Sequence, residues 1–394
     1  MSQRGGVAVL ALALLLAGCT PAVVSQPTAT PSPAPLETAP TPDPASEYAD
    51  ARLSVMSLDE KIRSLFMVHF DGVDPSAQAA AADAAGVGGI ILMGDNVPPD
   101  SGQLVAITPV LAGDAALPRL IAIDQEGGIV RRIPGDSAAS AEQLRALPPA
   151  AARDAFEYRG ELLESLGVSV NFGIVADVTG DPASFIYERS MGGTADAAAA
   201  RVGEAVVGES GHVLSTLKHF PGHGVSPGDS HSSIPETGIS VADWRTGHAP
   251  PFAAGIDAGA EFVMFGHLQF DRVDAEPATL SRFWHQELRG ELGFDGIIIT
   301  DDMLMLQNSG RADLADPASN AIRAIAAGNT MLLYVGPVDL DGVVAAVRAA
   351  VVDGTIPLST LNDAARRLLV ERRALSGETG AYVHCFDDCQ AIIE

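Results

Sequence analysis

The segment Lys218-His219-Phe220-Pro221-Gly222-His223-Gly224, running on to Asp229-Ser230-His231, concentrates proton-handling side chains in one short stretch. An aspartate two residues before His231 can accept a hydrogen bond from one ring nitrogen. The other nitrogen is then free for proton transfer, and the carboxylate raises the basicity of the ring. Pro221-Gly222 and Gly224 favour turns, so the segment reads as a loop presenting polar groups rather than as core. His219, His223, Asp229 and His231 are also metal-ligand types. Against a metal stand Lys218, a cation beside His219, and Pro221, which breaks any helix that would place His219 and His223 one turn apart. No metal is expected, and on composition alone a purely structural role for His231 stays open.

Two further segments carry acids next to apolar runs. Gly296-Ile297-Ile298-Ile299-Thr300 ends in Asp301-Asp302. A carboxylate in that position can attack an anomeric carbon or support an oxocarbenium-like charge; alternatively, either acid could cap a following helix. Ile123-Asp124-Gln125-Glu126 leads into Gly127-Gly128 and on to Arg131-Arg132. The paired glycines allow a sharp turn and close backbone approach to a ligand. Asp124 can accept bonds from two hydroxyls, and Arg132 donates through a fixed fork. The acids just before the glycines argue against a phosphate site.

These groups need a scaffold that brings them together. Eight apolar runs, Ser64–Phe70, Gly89–Met93, Leu120–Asp124, Val168–Val178, Leu214–Phe220, Phe262–His267, Gly296–Asp301 and Thr330–Val335, read as strands. Several are continuous rather than alternating, as in strands buried on both faces. Helical stretches lie between them: Ser76–Ala85, Ala141–Leu166, Ala195–Glu209, Val241–Ala258, Ser281–Leu292, Pro317–Ala327 and Asp339–Val352. The alternation predicts an α/β fold, a single (β/α)8 TIM-type barrel, closed by a helix over Leu358–Leu375. Asp71, Asp95, Asn96, Asp124, Asp177, Lys218, His219, His267 and Asp301 all fall at or just after the carboxyl ends of these runs, which converge on one rim in a barrel. A doubly wound open sheet, the second choice, would spread them along an edge.

Acidic residues outnumber basic ones 50 to 24, and the formal net charge is −26. Such a chain lacks the basic face that nucleic-acid binding requires. Arg4, the apolar run Val7–Leu16 and Leu16-Ala17-Gly18-Cys19 resemble a bacterial lipoprotein signal, too short to span a bilayer as a mature helix. It implies a signal peptide at 1–18, lipidation of Cys19 and an extracytoplasmic protein anchored to the cell membrane; an ordinary signal peptide with an incidental cysteine is the alternative. The Pro/Thr/Ala/Ser-rich stretch 19–47 is expected as a tethering linker, 48–378 as the barrel and 379–394 as a tail. Cys385 and Cys389 are expected to form a disulfide outside the cytosol, with free thiols or a site shared with His384 as alternatives.

Taken together, the segments resemble glycoside hydrolase family three, in its β-N-acetylglucosaminidase branch. The resemblance covers about Leu58 to Leu375. It rests on Gly88-Gly89-Ile90-Ile91-Leu92, Ile123-Asp124-Gln125-Glu126-Gly127-Gly128, Asn171-Phe172-Gly173 with Asp177-Val178, and Glu188-Arg189-Ser190. The histidine loop, Pro277-Ala278-Thr279-Leu280-Ser281 and Thr300-Asp301-Asp302-Met303 complete it. It implies retaining exo-hydrolysis of terminal, non-reducing β-linked N-acetylglucosamine from peptidoglycan fragments or chitooligosaccharides, by a monomer without a cofactor. Asp301 would form the glycosyl-enzyme, and His231 would be the acid/base oriented by Asp229. Asp124, Arg132, Arg189, Lys218 and His219 would hold the sugar hydroxyls, with His223 organising the loop. The pattern departs at Tyr187 and Met191, beside Arg189, where a change in the tilt of that arginine is expected. The short stretch after the barrel makes the histidine loop the expected source of the acid/base. A phosphorylase, a β-glucosidase and a non-catalytic sugar-binding lipoprotein are the alternatives.

Overall fold

The computed structural model describes residues 43–383. Cys19, His384, Cys385 and Cys389 lie outside the described residues, as do the signal segment and most of the expected linker. Eight strands form a closed barrel: β1 (Phe66–Val68), β2 (Gly89–Leu92), β3 (Leu120–Ile123), β4 (Val170–Val175), β5 (Leu214–Phe220), β7 (Phe262–Phe265), β9 (Ile297–Asp302) and β10 (Met331–Tyr334). Every neighbouring pair is parallel, and β10 pairs with β1, Phe66 opposite Leu332, so the sheet has no edge. Closure excludes the open doubly wound sheet. Two short strands not foreseen from sequence, β6 (Glu236–Thr237) and β8 (Gln269–Phe270), pair with each other in the segments that follow β5 and β7.

The runs are continuous because both faces of each barrel strand are covered. β2, β3, β7 and β10 are buried at every residue, as expected where side chains fill the barrel on one side and pack under helices on the other. Burial relaxes only at Asp301 and Asp302, the last two residues of β9, where the strand emerges at the mouth.

Several boundaries shift for physical reasons. The first helix, Pro44–Val55, begins inside the stretch expected as linker. Asp43 caps it by accepting from the N–H groups of Ala45 and Ser46, and Pro44 sits where no N–H is needed. This helix packs on Leu358–Ser376, with Arg366 donating to Asp50 at 2.6 Å. The helix expected over Ala141–Leu166 is two, Ala141–Leu144 and Ala150–Ser165, parted at Pro148-Pro149. Val241–Ala258 likewise divides at His248, just ahead of Pro250-Pro251, into Val241–Gly247 and Ala249–Asp257. Ser281–Leu292 is a short α-helix, Arg282–Gln286, that passes into a π-helical turn, Glu287–Glu291. No helix among the described residues is long and apolar enough to cross a membrane.

Candidate active site

A cavity of about 350 Å³ opens at the carboxyl ends of the barrel strands. It is lined by Asp124 and Arg132 from the β3 end, Arg189 after β4, Lys218, His219, His223 and His231 from β5 and its loop, and Asp301 and Asp302 from β9. The structure thus gathers all the expected catalytic and sugar-binding residues here except Asp229, which meets the cavity through His231.

One side is a buried charge network. Lys218, 2% exposed, lies 2.9 Å from Asp124 Oδ1 and 2.7 Å from Glu126 Oε1. Arg132 reaches Asp124 Oδ2 at 3.3 Å. Arg189 holds Glu126 through two parallel bonds of 2.8 and 2.7 Å, the fork geometry that fixes a planar pair. Burial pushes the carboxyls of Asp124 and Glu126 up, but Lys218 together with Arg132 or Arg189 more than offsets it, so both are held below their ordinary values. Burial likewise opposes the charges on Lys218 and Arg189, and the same carboxylates restore them above their ordinary values. All four groups are therefore charged at neutral pH, and Asp124, which lines the cavity, retains acceptor capacity toward it.

His219 is fixed by Asp177. Its Nδ1–H donates to Asp177 Oδ2 at 2.7 Å, which leaves Nε2 to accept from Arg189 at 3.3 Å. Asp177 Oδ1 also accepts from the backbone N–H groups of His219 and His223. The ring of His223 packs edge-on against Phe185 at 4.4 Å, and burial lowers its pKa to about 4, so it is neutral. Just before the loop, Phe220 packs among Trp244, Phe252, Phe265 and Trp284, and the Trp244 indole donates to the Pro221 carbonyl at 2.6 Å. This aromatic cluster anchors the strand end from which Lys218 and His219 project. A side chain at residue 224 would collide with the Val178 carbonyl, so Gly224 lets the loop pass close to the end of β4.

Further along the loop, Nδ1–H of His231 donates to Asp229 Oδ1 at 2.5 Å, and the His231 backbone N–H reaches the same oxygen at 3.0 Å. The ring's Nε2 is thereby left for proton exchange. Partial burial pushes the Asp229 carboxyl up, but the His231 backbone N–H and ring bonds outweigh it and hold it below its ordinary value. Both side chains are about half exposed or more, in contrast to the buried clamp.

Asp301 faces this loop from β9. Burial raises its carboxyl, but the imidazoles of His219 and His267, the N–H of Asp302 at 2.8 Å and Lys218 more than compensate, so it stays ionised below its ordinary value. Asp302 differs: burial first, and the charge of Asp301, push it to about 6 despite N–H bonds from Val335 and Leu304. The capping reading thus fits Asp302, which accepts from Leu304 N–H at 3.1 Å at the start of the helix Leu304–Asn308, and leaves Asp301, held by the Asp302 N–H, as the acid of the pair not used in capping. His267 Nε2–H donates to the Asp302 carbonyl at 2.9 Å and braces the turn.

Two residues of this constellation went unassigned from sequence. Glu126 balances charge: Lys218, Arg132 and Arg189 bring three cations to a clamp in which only Asp124 was recognised as an acid. That surplus was the available signal. Asp177 was visible as a polar strand end, but its role depends on β4 lying beside β5, which spacing alone does not reveal. Tyr187 sits under Arg145, 4.1 Å from its guanidinium carbon to the ring centroid, and Met191 is buried. Arg189 itself is held by Glu126.

A closed parallel barrel carrying acids, cations and an Asp–His pair at the carboxyl ends of its strands is a (β/α)8 enzyme. The chain belongs to glycosyl hydrolase family 3, whose N terminal domain model matches residues 57–370. It is 34% identical over 254 residues to a beta-hexosaminidase of Pseudomonas aeruginosa, covering 62% of this chain and 74% of that one. It is 31% identical over 334 residues to beta-hexosaminidase LpqI of Mycobacterium tuberculosis, covering 78% and 81%. Among solved structures, a family 3 beta-N-acetylglucosaminidase from Paenibacillus sp. matches with a TM-score of 0.75 and 32% identity, covering 85% of this chain and 65% of that one.

Proposed function

We propose that the protein is an exo-acting, retaining β-N-acetylglucosaminidase. The observation that carries this reading is the meeting, in one cavity, of an ionised Asp301, a His231 oriented by Asp229, and the clamp of Asp124, Lys218 and Arg189, whose cations Glu126 helps to balance. Asp301 attacks the anomeric carbon while the protonated Nε2 of His231 delivers its proton to the departing glycosidic oxygen. His231 then takes a proton from water as that water displaces Asp301. Asp229 keeps the proton of the ring on Nδ1 and stabilises the imidazolium. Asp124, Arg132, Arg189, Lys218 and His219 bind the sugar hydroxyls. A cavity of about 350 Å³ suits one sugar residue rather than a run of them, which favours release from a chain end.

The names of the relatives, beta-hexosaminidase and beta-N-acetylglucosaminidase, support N-acetylglucosamine as the sugar released. Peptidoglycan fragments or chitooligosaccharides are the substrates that present it at a non-reducing end. The lipoprotein-like start of the sequence supports an extracytoplasmic enzyme anchored through Cys19, and we propose that it acts as a monomer. The test is a comparison of aryl β-N-acetylglucosaminide with aryl β-glucoside, with and without phosphate. Preferential release of free N-acetylglucosamine in both buffers is expected. Preference for the glucoside, or a sugar phosphate as product, would overturn the reading.

A further inference from the structure

A buried polar chain, unused by the proposed reaction, runs beneath the sugar clamp. Glu209 is the last residue of the helix Ala195–Glu209, and it is fully buried. Its Oε1 accepts from Nδ2 of Asn171, a fully buried residue of β4. Asn171 in turn takes hold of a single backbone unit: Oδ1 accepts from the N–H of Gln125 at 3.1 Å, and Nδ2 donates to the Gln125 carbonyl at 3.1 Å. A side chain at residue 173 would occupy the space of the Asn171 amide, so Gly173 keeps that space open.

Gln125 stands between Asp124 and Glu126, the two acids on Lys218. Its side-chain oxygen accepts from the N–H groups of Arg132 and Ile133, both at 2.9 Å, and so ties down the loop that carries Arg132. Any displacement of Gln125 therefore moves Asp124, Glu126 and Arg132 together.

The weak point of this arrangement is the Asn171 amide. Turned over by 180°, it would set nitrogen against the Gln125 N–H and oxygen against the Gln125 carbonyl, losing both bonds. Glu209 Oε1 accepts from the nitrogen in its present position and so adds a third bond to the orientation that Gln125 favours. We propose that Glu209 is a positioning residue: by fixing the Asn171 amide it holds Gln125, and through Gln125 it sets Asp124, Glu126 and Arg132 for gripping the sugar. Burial pushes the Glu209 carboxyl up to about 8, so it is largely neutral at neutral pH and glutamine is a near-isosteric replacement.

This inference rests on the reading of the cavity as the N-acetylglucosamine site, and the test separates the two. If the wild-type enzyme releases nothing from aryl β-N-acetylglucosaminide, the functional reading falls before Glu209 is touched. In an active enzyme, Glu209→Leu should raise KM about tenfold, the scale of one lost hydrogen bond, with a smaller change in kcat. Glu209→Gln should keep KM near the wild-type value. In an Asp124→Ala background, Glu209→Leu should add less than it does in the wild type, because one of the groups it sets is gone. If Glu209→Leu does not fold, Asn171→Ser reads the same KM comparison. A lowered melting temperature with wild-type KM, or an equal effect of Glu209→Leu with and without Asp124, would overturn the proposal.

Discussion

Asp229 Oδ1 lies 2.5 Å from Nδ1 of His231, two residues further along a single loop, and the same oxygen accepts the backbone N–H of His231. The carboxylate therefore fixes both the position of the residue and the proton on its ring. The pair stands on the exposed side of the cavity mouth, where it can meet a leaving group and then water, while the clamp holding the sugar is buried. Proton transfer and sugar recognition are thus separated in space.

That separation makes the loss of His231 depend on the leaving group. His231→Ala should slow poor leaving groups by ~10²–10⁴-fold and activated aryl leaving groups much less, because an activated phenol departs without a proton. Asp229→Asn should follow the same pattern with smaller losses. A Brønsted series of aryl glycosides measures this; equal losses across the series would remove His231 from the acid role.

The buried clamp makes a different prediction for Lys218. Lys218→Met leaves Asp124 and Glu126 buried without their shared cation. Breaking one partner from such a network costs about 3–5 kcal/mol. Denaturant unfolding should register a loss on this scale, together with a raised KM. The Arg153–Glu204 pair, whose arginine is half exposed, provides the control: Arg153→Ala should cost less than about 1 kcal/mol.

Glu209 should contribute stability that falls as pH rises. Its carboxyl titrates near 4.5 in an unfolded chain and at about 8 in the fold. Between those values the native state holds a proton that the unfolded chain has released. Its stabilising effect is therefore fully present at lower pH and is lost as pH rises through that window, at up to about 1.4 kcal/mol per pH unit. Glu371, pushed to about 7 by burial, adds in the same direction. Melting temperatures followed from about pH 5 to about pH 8 should show Glu209→Gln gaining on the wild type as pH rises. Parallel curves would show that Glu209 does not contribute.

Much of this is legible in the sequence alone. The continuous Ile297-Ile298-Ile299 run states that β9 is buried on both faces, and the acids that end it state where burial stops. The aspartate two residues before His231 needs no tertiary information, since the pair forms within one loop. What the sequence conceals is what depends on neighbouring strands. Asp177 acts on His219 because β4 and β5 are adjacent, Glu126 acts on Arg189 across sixty-three positions of chain, and Glu209 reaches Gln125 only through Asn171. Helix boundaries are hidden where Asp43-Pro44 starts a helix inside a proline-rich stretch and where Pro148-Pro149 breaks one. Both are local signals, masked by the composition around them.

The account turns on Asp301 as the group that carries the sugar. A fluorinated N-acetylglucosaminyl donor, which slows release of the glycosyl-enzyme, followed by proteolysis and mass spectrometry, addresses this directly. The expected result is one fluorinated N-acetylglucosaminyl group on the peptide containing Ile297–Met303, attached to Asp301. It should be absent in Asp301→Asn, which should also lose turnover by on the order of 10³-fold or more. A label on any other residue, or near wild-type turnover in Asp301→Asn, would contradict the mechanism.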